Sequence, residues 1–422
     1  MAYSAYEHYK PTGIKTIGSI PEHWTVRRLK FMARIQNGKD YKEVVADDGF
    51  PVIGSGGEFA KASAYLYNGE SVLLGRKGTI DRPLYINGPF WTVDTMFYTE
   101  VANDVSAKYL YYCALTINFL KYATSTALPS MTQQDLGAIP FALPRHDEQQ
   151  AIARFLDFKT SQIDALIAKK KTLLDKLAEK RTALISHAVT KGLDPSVAMK
   201  ESKVEWLGSI PQDWKETRVK FLGDLILGLT YSPDDVVSDG GTLVLRSSNV
   251  QEGKISLDDC VYVSCDIPKK VITKADDILI CSRNGSRALI GKCALLTEEV
   301  SNQAFGAFMT VLRSRHARFL YYVLNSTLFK FQSGRFLTST INQLTTQTLG
   351  DFEIALPPEE TQAEIVNHLD KAAAAIDAQC RKAQTVIDRL TEYRSALITN
   401  AVTGKIDVRD FAIPHIAEGI AS

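Results

Sequence analysis

Hydrophobic residues recur every seven positions along two long stretches of this chain. The first stretch, Asp147 to Thr190, contains no proline and no glycine, and as a single helix it would be about 66 Å long at ~1.5 Å per residue. A second stretch with the same sevenfold spacing runs from Pro357 to Gly404. Sevenfold spacing is typical of a coiled-coil seam. The predicted seam residues are Leu156, Ile163, Leu177, Leu184, Leu369, Ile376, Leu390 and Leu397.

A second row with the same sevenfold spacing lies four positions before the first. Its apolar members include Ile152, Leu166 and Leu173 in the first helix and Ile365, Val386 and Tyr393 in the second, and we expect the two rows to form the seam together. Further apolar residues widen each stripe beyond a two-helix contact, namely Ile167, Leu174, Ile185, Ile387 and Ile398. This surplus is compatible with packing on the chain's own globular parts and with a surface for another protein.

Local signals mark where both helices start and stop. Each follows a proline, Pro144 or Pro357, with acidic residues next, which suits the first turn of a helix. Each is followed by a glycine, Gly192 or Gly404, which suits a helix end.

The remaining sequence predicts two globular parts of mixed type. Short apolar runs between glycine-rich turns predict strands at 71–74, 242–245, 277–280 and 308–312. Aromatic-rich segments predict helices at 107–122 and 317–332. We expect each part to be an α/β or α+β domain of roughly 120 to 150 residues.

The chain follows one plan twice. Ile-Gly-Ser-Ile-Pro-Glu-His-Trp at 17–24 returns as Leu-Gly-Ser-Ile-Pro-Gln-Asp-Trp at 207–214, an offset of 190. The offset is 207 from Gly78 to Gly285 and a constant 213 along the helices, so the second globular part has gained 23 residues and the helix none. A residue inserted into a packed helix would rotate everything after it off the seam. The helices therefore have a fixed length, whereas the globular parts diverge.

The repeat is circular. The end of the first copy and the start of the second are joined in the middle of the chain, and the equivalent two pieces lie near the C-terminus and the N-terminus. Residues 192–194 match 405–407, and 203–205 match 13–15. This predicts a duplicated α/β (mixed α+β) fold with pseudo-twofold symmetry and neighbouring termini. The predicted divisions are an N-terminal segment near the C-terminus (1–19), a first globular domain (20–143), a first spacer helix (144–192), a linker (193–206), a second globular domain (207–356), a second spacer helix (357–404) and a C-terminal tail (405–422).

Composition and charge narrow the function only a little. The 422 residues are 45% hydrophobic and 23% charged, as in ordinary globular proteins. No leader-like start and no run of membrane-spanning length occurs in the sequence, so we expect a cytoplasmic protein. The net charge of +1 means that nucleic acid is either not bound or is bound by a local basic surface with help from partners. The six cysteines form no Cys-x-x-Cys pair, which favours reduced thiols over zinc or disulfides.

Four motifs together resemble the specificity subunit of type I restriction-modification systems. They are the Gly-Ser-Ile-Pro-x-x-Trp opening, an Arg-x-Gly turn after a buried strand (76–78 and 283–285), the Leu-Pro-x-x-x-x-Gln helix start and the Ala-Val-Thr helix end. Their order and duplication extend the resemblance over residues 10–407.

The resemblance implies two target-recognition domains, each recognising one half of a split, asymmetric site in double-stranded DNA. It implies that the two helices pair as an antiparallel coiled coil and hold the domains a fixed number of base pairs apart. Two adenine-methylating modification subunits are expected on the helices, with ATP-driven restriction subunits joining them. S-adenosylmethionine, ATP and Mg²⁺ would be bound by those partners, and this chain would have no cofactor and no catalytic activity. Divergent domains on a shared scaffold suit two different half-sites.

Candidate DNA contacts are polar and basic residues in turns, because arginine and lysine suit guanine or phosphate, and asparagine and glutamine suit adenine. Such residues are also common in turns for conformational reasons. The candidates are Arg76, Lys77, Thr126, Ser130, Thr132 and Gln133 in the first domain, and Arg246, Asn249, Arg283, Asn284, Arg335, Ser339, Thr340 and Asn342 in the second.

Two other functions remain possible from the sequence. Asp234 with Glu252 and Lys254 matches a Pro-Asp…Glu-x-Lys nuclease pattern, in which the carboxylates would hold Mg²⁺. The first domain has no counterpart of this pattern, and short patterns arise by chance. A coiled-coil scaffold that does not recognise DNA would use the same helices but would leave the two duplicated domains unexplained.

Overall fold

The computed structural model describes residues 3–122, 129–336 and 343–413, and the chain divides into two compact units. Unit 1 comprises Met1–Lys171 and Gln384–Ser422, and unit 2 comprises Thr172–Ala383. Both divisions fall inside the long helices rather than at the helix ends that the sequence suggested as boundaries. The reason is that half of each helix packs on one globular part, so that each unit contains one globular part and one half of each helix.

Unit 1 is built on a seven-stranded sheet. Its strands are β1 (Tyr9–Pro11), β2 (Ser19–Pro21), β3 (Thr25–Arg28), β4 (Ala33–Asn37), β5 (Val45–Ala46), β6 (Phe50–Gly54), β7 (Gly57–Ala62), β8 (Tyr67–Gly75), β9 (Leu84–Thr92), β10 (Met96–Val101) and β11 (Pro140–Leu143). The order in the large sheet is β4-β10-β8-β9-β6-β7-β5, and β1 pairs with β2 and β3 with β11 in two small sheets. Its helices are α1 (Ala107–Ala114), α2 (Gln133–Ala138) and the first part of α3 (His146–Lys191), with short 3₁₀ turns at Leu29–Phe31 and Phe119–Lys121.

Strand β8, the third strand of this sheet, is covered on both faces. Val72 and Leu74 lie in the core beneath α1 and α3, whereas Leu73 between them lies in a smaller core on the other face. Successive side chains of a strand point to opposite faces, so a strand buried on both sides has a continuous apolar sequence. This explains why the predicted strand at 71–74 lacks the alternation of a half-exposed strand.

Unit 2 has the same plan with smaller sheets. Its strands are β12 (Met199–Glu201), β13 (Ser209–Pro211), β14 (Lys215–Arg218), β15 (Asp224–Leu227), β16 (Val236–Val237), β17 (Thr242–Leu245), β18 (Val250–Gln251), β19 (Lys254–Ile255), β20 (Tyr262–Val263), β21 (Ile278–Cys281), β22 (Cys293–Leu295), β23 (Ala304–Phe305), β24 (Met309–Arg313) and β25 (Glu353–Leu356). The four-stranded sheets have the orders β15-β24-β21-β22 and β16-β20-β17-β23, and the pairs β12-β13, β14-β25 and β18-β19 form separate small sheets. The helices are α4 (Ala317–Leu324), α5 (Thr327–Phe336), α6 (Thr346–Gly350) and α7 (Glu359–Val402), of which α7 continues into unit 1.

Each globular unit packs against the start of one long helix and the end of the other. In unit 1 the Tyr109 hydroxyl donates to the carbonyl of Ala142, just before α3, and to that of Val402, at the end of α7. In unit 2 Val189, near the end of α3, shares a core with Ile365, near the start of α7. Within each unit, therefore, the start of one helix lies beside the end of the other.

One of the two predicted seam rows is exposed. The first row is buried or half-buried along its apolar members, including Leu156 and Ile376. The second row is wrong beyond its first residues, because Leu166, Leu173, Val386 and Tyr393 are 38–48% exposed. The inward row instead lies four positions after the first. It includes Thr160, Ile167, Leu174, Arg181 and Ala188 in α3. The predicted row also contains Lys159 and Lys180, which would be costly to bury without partners.

Residues near the two chain ends meet in unit 1, as the circular repeat predicted. The backbone N–H of Asp407 donates to the carbonyl of Ser4 over 2.8 Å, and the Tyr9 hydroxyl donates to the carbonyl of Gly404 over 3.0 Å. The guanidinium of Arg409 lies 5.1 Å from the centre of the Tyr6 ring.

Candidate nucleic-acid interface

Three segments of unit 1 are tied together by backbone hydrogen bonds at the end of β8. The N–H groups of Arg76 and Lys77 both donate to the carbonyl of Thr95, over 2.9 and 3.2 Å. The N–H of Met131 donates to the carbonyl of Arg76 over 3.0 Å, and that of Gly78 to Pro129 over 2.9 Å. The positions of Arg76 and Lys77 are therefore fixed by the backbone. We call this arrangement the strand-end framework.

Unit 2 contains the same framework. The N–H groups of Ser282 and Arg283 both donate to the carbonyl of Phe308 over 3.0 Å, and the N–H of Leu344 donates to that of Ser282 over 2.8 Å. An antiparallel bridge joins Arg283 to Gln343, as one joins Lys77 to Ser130 in unit 1. Two independent sets of hydrogen bonds thus define the same local geometry.

These bonds correct the alignment of the two copies by one residue. The sequence matched Arg76 to Arg283 through the following glycines, at an offset of 207. The hydrogen bonds instead match Arg76 to Ser282 and Lys77 to Arg283, at an offset of 206. The error arose because a glycine near a turn can move by one position without changing the local sequence pattern.

Three of the candidates in unit 1 have exposed side chains at or beside the framework, namely Lys77, Thr132 and Gln133. The guanidinium of Arg76 lies 5.8 Å from the centre of the Phe97 ring and donates to the carbonyl of Asp94, so Arg76 is held near the sheet. The candidate Ser130 is half-buried in the bridge with Lys77.

Thr132 has a structural role that its position at a helix start explains. Its hydroxyl oxygen accepts from the N–H of Asp135 over 3.1 Å and its hydroxyl donates to the carboxylate of Asp135 over 2.6 Å. Thr345 caps α6 in the same way. Threonine is a favoured N-cap residue, and this accounts for Thr132 without a DNA contact.

In unit 2 the exposed side chain of Arg283 stacks on an exposed aromatic ring. Its guanidinium lies 5.2 Å from the centre of Phe308, which is 57% exposed. Such stacking holds a guanidinium in a defined plane. Asn284 donates to the hydroxyl of Ser247 over 3.1 Å and its side-chain oxygen accepts from the N–H of Ser286. Asn284 therefore ties the framework to the segment that contains Arg246.

The structure corrects the prediction for Asn249. This side chain is fully buried, accepts from the N–H of Arg246 over 2.8 Å and donates to the carbonyls of Ser256 and Asp259. It uses its amide to hold the loop and offers nothing to a ligand. Arg246 is half-buried and forms an ion pair with Asp259 at 2.9 Å.

Thr126, Ser339, Thr340 and Asn342 lie outside the described residues, and Arg335 lies in α5 with only its backbone described. In the sequence, Thr126 comes four residues before Ser130, and Ser339, Thr340 and Asn342 come one to four residues before Gln343. Sequence reasoning missed Phe308, the ring beneath Arg283, although its offset of 213 from Thr95 marks it as the equivalent framework position.

The nuclease pattern does not form a metal site. Lys254 forms an ion pair with Asp377 of α7 at 2.7 Å, and Asp234 lies in a 3₁₀ turn capped by Ser232. Burial by itself raises the pKa of Asp377, but the hydrogen bond from Lys254 and the charge of Arg181 outweigh it and lower the pKa. Across residues 3–122, 129–336 and 343–413, no group of three histidine, cysteine, aspartate or glutamate side chains is arranged to hold a metal ion.

Buried thiols do not provide a nucleophile either. Burial raises the pKa of both Cys113 and Cys293 to about 12, so both thiols stay protonated at neutral pH. Both are buried and free of disulfides. No helix within the described ranges is long and apolar enough to span a membrane.

Comparison with known proteins gives one family. The model of the type I restriction modification DNA specificity domain matches residues 21–177 and again 211–386. The chain is 24% identical over 429 residues to the type I restriction enzyme MjaVIII specificity subunit of Methanocaldococcus jannaschii, covering 96% of this chain and 98% of that protein. It is 23% identical over 425 residues to the type I restriction enzyme EcoBI specificity subunit of Escherichia coli, covering 92% of this chain and 87% of that protein.

A solved structure shares the fold. A chain from a structural study of complex assembly and conformational transition of the type I R-M system superposes with a TM-score of 0.68 at 15% identity, covering 92% of this chain and 99% of that chain.

Proposed function

Because the chain belongs to the family of type I restriction modification DNA specificity domains and contains that domain twice, we propose that it is the DNA-recognition subunit of a type I restriction-modification complex. Each globular domain recognises one half of a split, asymmetric target in double-stranded DNA. The chain itself performs no catalytic step.

The observation that carries this proposal is the duplicated strand-end framework. The same backbone hydrogen bonds present Lys77 beside Thr95 in unit 1 and Arg283 beside Phe308 in unit 2. Hydrogen-bonding side chains on a fixed backbone are what base recognition in the major groove requires. Because the side chains differ while the backbone is shared, the two domains suit two different half-sites.

We further propose that the long helices pair as an antiparallel coiled coil that sets the distance between the half-sites. In unit 1 the guanidinium of Arg394 on α7 pairs with Asp164 on α3 at 2.9 Å. In unit 2 Arg181 on α3 pairs with Asp377 on α7. The offset of 213 turns Asp164 into Asp377 and Arg181 into Arg394, so both ion pairs join the same two positions of the repeat. This equivalence supports a pseudo-twofold arrangement.

The partners follow from the same proposal. Two adenine-methylating modification subunits dock on the helices, where exposed apolar residues lie outside the seam: Leu166, Val386 and Tyr393 in unit 1 and Leu173 in unit 2. Restriction subunits join this complex. S-adenosylmethionine, ATP and Mg²⁺ belong to those subunits. Phosphate contacts from the partners would also offset the low net charge of this chain.

The test is to co-express the chain with its modification subunit and to map methylated adenines by long-read sequencing. We expect a single bipartite motif. Exchange of residues 20–140 for the same region of another specificity subunit should change one half-site and leave the other half-site and the gap unchanged. A motif without a gap, or one that survives this exchange unaltered, would refute the proposal.

The same assay tests the framework. Lys77→Ala should relax only the half-site that unit 1 recognises, and Arg283→Ala only the other, with each lost bidentate or charged base contact worth about 1–3 kcal/mol of discrimination. Thr345→Ala, which removes a helix cap, is the control and should leave both half-sites as they are.

A further inference from the structure

In one short segment, the only residues that the two copies share are exposed in both units. Residues 25–37 align with 215–227 at the offset of 190, and only three positions are the same. Those pairs are Arg28 and Arg218, Lys30 and Lys220, and Phe31 and Phe221, and all six residues are exposed. The core positions between and beside them have changed, from Leu29 to Val219 and from Met32 to Leu222. We call each exposed set the Lys-Phe patch of its unit.

Packing within the chain does not require these phenylalanines. Phe31 is 62% exposed and Phe221 is 71% exposed. Each ring has its neighbouring lysine ammonium close by, with Lys30 at 5.0 Å and Lys220 at 5.5 Å from the ring centre. A single exposed hydrophobic residue is ordinary on a protein surface. Its repetition at the equivalent position, with the same neighbours, indicates a requirement from outside the chain that both units share.

The patch lies away from the strand-end framework. In unit 1 the strand β4 separates it from Gly38, whose N–H donates to the carbonyl of Met96 beside the framework. The five residues of β4 span about 17 Å at ~3.3 Å per residue. The patch instead lies near the start of the spacer helix α3. The N–H of Leu29 donates to the carbonyl of Ile139, and β3 pairs with β11 as far as Leu143, three residues before α3 begins at His146.

A requirement shared by both units cannot be base recognition, since the two domains recognise different half-sites. DNA phosphate is also a poor fit in unit 2. There Arg218 pairs with Glu353 at 3.1 Å and Lys220 with Asp351 at 2.7 Å, and these carboxylates would repel a phosphate. In unit 1 the matching positions are Ala138 and Pro140. What the two patches have in common is the exposed aromatic ring, which suits an apolar pocket on a protein.

We propose that the Lys-Phe patch of each unit docks one modification subunit, so that the two patches hold two copies of the same partner in equivalent positions. Phe31 and Phe221 insert into an apolar pocket of that subunit. This inference rests on the proposed function. It adds a contact on the globular domains to the docking on the helices.

The experiment measures how many modification subunits the full-length chain binds. Phe31→Ser, Phe221→Ser and the double variant are purified and titrated with the modification subunit, with the assemblies weighed by native mass spectrometry. We expect two bound subunits for the unaltered chain. Each single variant should bind one subunit as before and the other at least tenfold more weakly, and the double variant should weaken both. Because both rings are exposed, the melting temperature should stay unchanged.

Phe59→Ser is the matched control. Phe59 is 55% exposed and packs edge-on against Tyr41, so it is an equally accessible aromatic residue outside the patch, and its loss should not change subunit binding. Unchanged affinity of both subunits for the double variant would overturn the inference and leave the proposed function intact. Unchanged subunit binding with weaker DNA binding would also overturn it and would assign the patch to the DNA backbone. If the unaltered chain bound no modification subunit, the proposed function itself would fail.

Discussion

Replacing Gln149 by leucine should loosen unit 1 at the point where the spacer helix leaves the globular domain. Gln149 is 1% exposed, and its side-chain oxygen accepts from the N–H of Ser106 over 2.8 Å. Its amide donates to the carbonyls of Asp104 and Pro144 over 3.1 and 3.0 Å. A single side chain thus ties α1, the preceding loop and the turn before α3.

The expected loss is about 2–4 kcal/mol, because a typical hydrogen bond contributes roughly 1 kcal/mol and a buried N–H left without a partner costs about 1–3 kcal/mol. This is a large fraction of the roughly 5–15 kcal/mol by which a domain is stable. Gln362 is the equivalent residue in unit 2. It donates to the carbonyl of Pro357 and pairs with the ring of His316, with no backbone N–H bonded to its oxygen. Gln362→Leu should therefore cost less than Gln149→Leu.

Urea unfolding gives the total loss, and hydrogen exchange followed by mass spectrometry assigns it to a unit. Faster exchange after Gln149→Leu should appear in α1 and the start of α3. The control is Gln384→Leu, because Gln384 is exposed and its amide donates to the exposed carboxylate of Asp388 one turn along the same helix, so less than about 0.5 kcal/mol should be lost. Equal losses for the buried and the exposed glutamine, or faster exchange in unit 2 instead of unit 1, would refute the reasoning.

Two further predictions concern the helices. The pKa of Asp377 is lowered in the folded chain, so its carboxylate contributes stability above its unfolded pKa of about 3.9 and loses that contribution as pH falls through the folded value. Asp377→Asn should therefore lower the free energy of unfolding at pH 7 and make its decrease in acid less steep. Urea midpoints that shift equally at pH 7 and pH 3 would contradict this. Removal of seven residues around Leu173 and of the matching seven around Val386 shortens both helices by about 10 Å. The gap in the methylated motif should then shrink by about three base pairs at ~3.4 Å each. An active variant with the original gap would show that the helices do not set the spacing.

Local sequence signals were sufficient for the helices but not for the face they bury. Proline before the start and glycine after the end place α3 at His146–Lys191 and α7 at Glu359–Val402, within two residues of the predicted bounds. The inward row was missed because a sevenfold repeat has two possible second rows, four positions before or four after the first. The choice depends on contacts with the partner helix, such as the ion pair of Arg181, which the spacing of one helix does not contain.

The candidate site was harder to predict because its geometry comes from segments far apart in the sequence. The framework of unit 1 joins Lys77 to Thr95 and Ser130, and no local pattern specifies those bonds. The same reason explains the one-residue error in pairing the copies. Asn249 was misjudged because a turn sequence does not tell whether an amide faces solvent or holds the loop.

The division of the chain into units has a consequence for its synthesis. Unit 2 is one uninterrupted segment, Thr172–Ala383, whereas unit 1 needs both Met1–Lys171 and the segment that begins at Gln384. On the ribosome, unit 2 can complete its contacts once its own residues have emerged, but the first globular domain must wait for Leu397 and Val402 to close its core. The domain made first is thus the last to be finished, and a chain truncated in α7 between Ala383 and Leu397 would hold a complete second recognition domain and an incomplete first one.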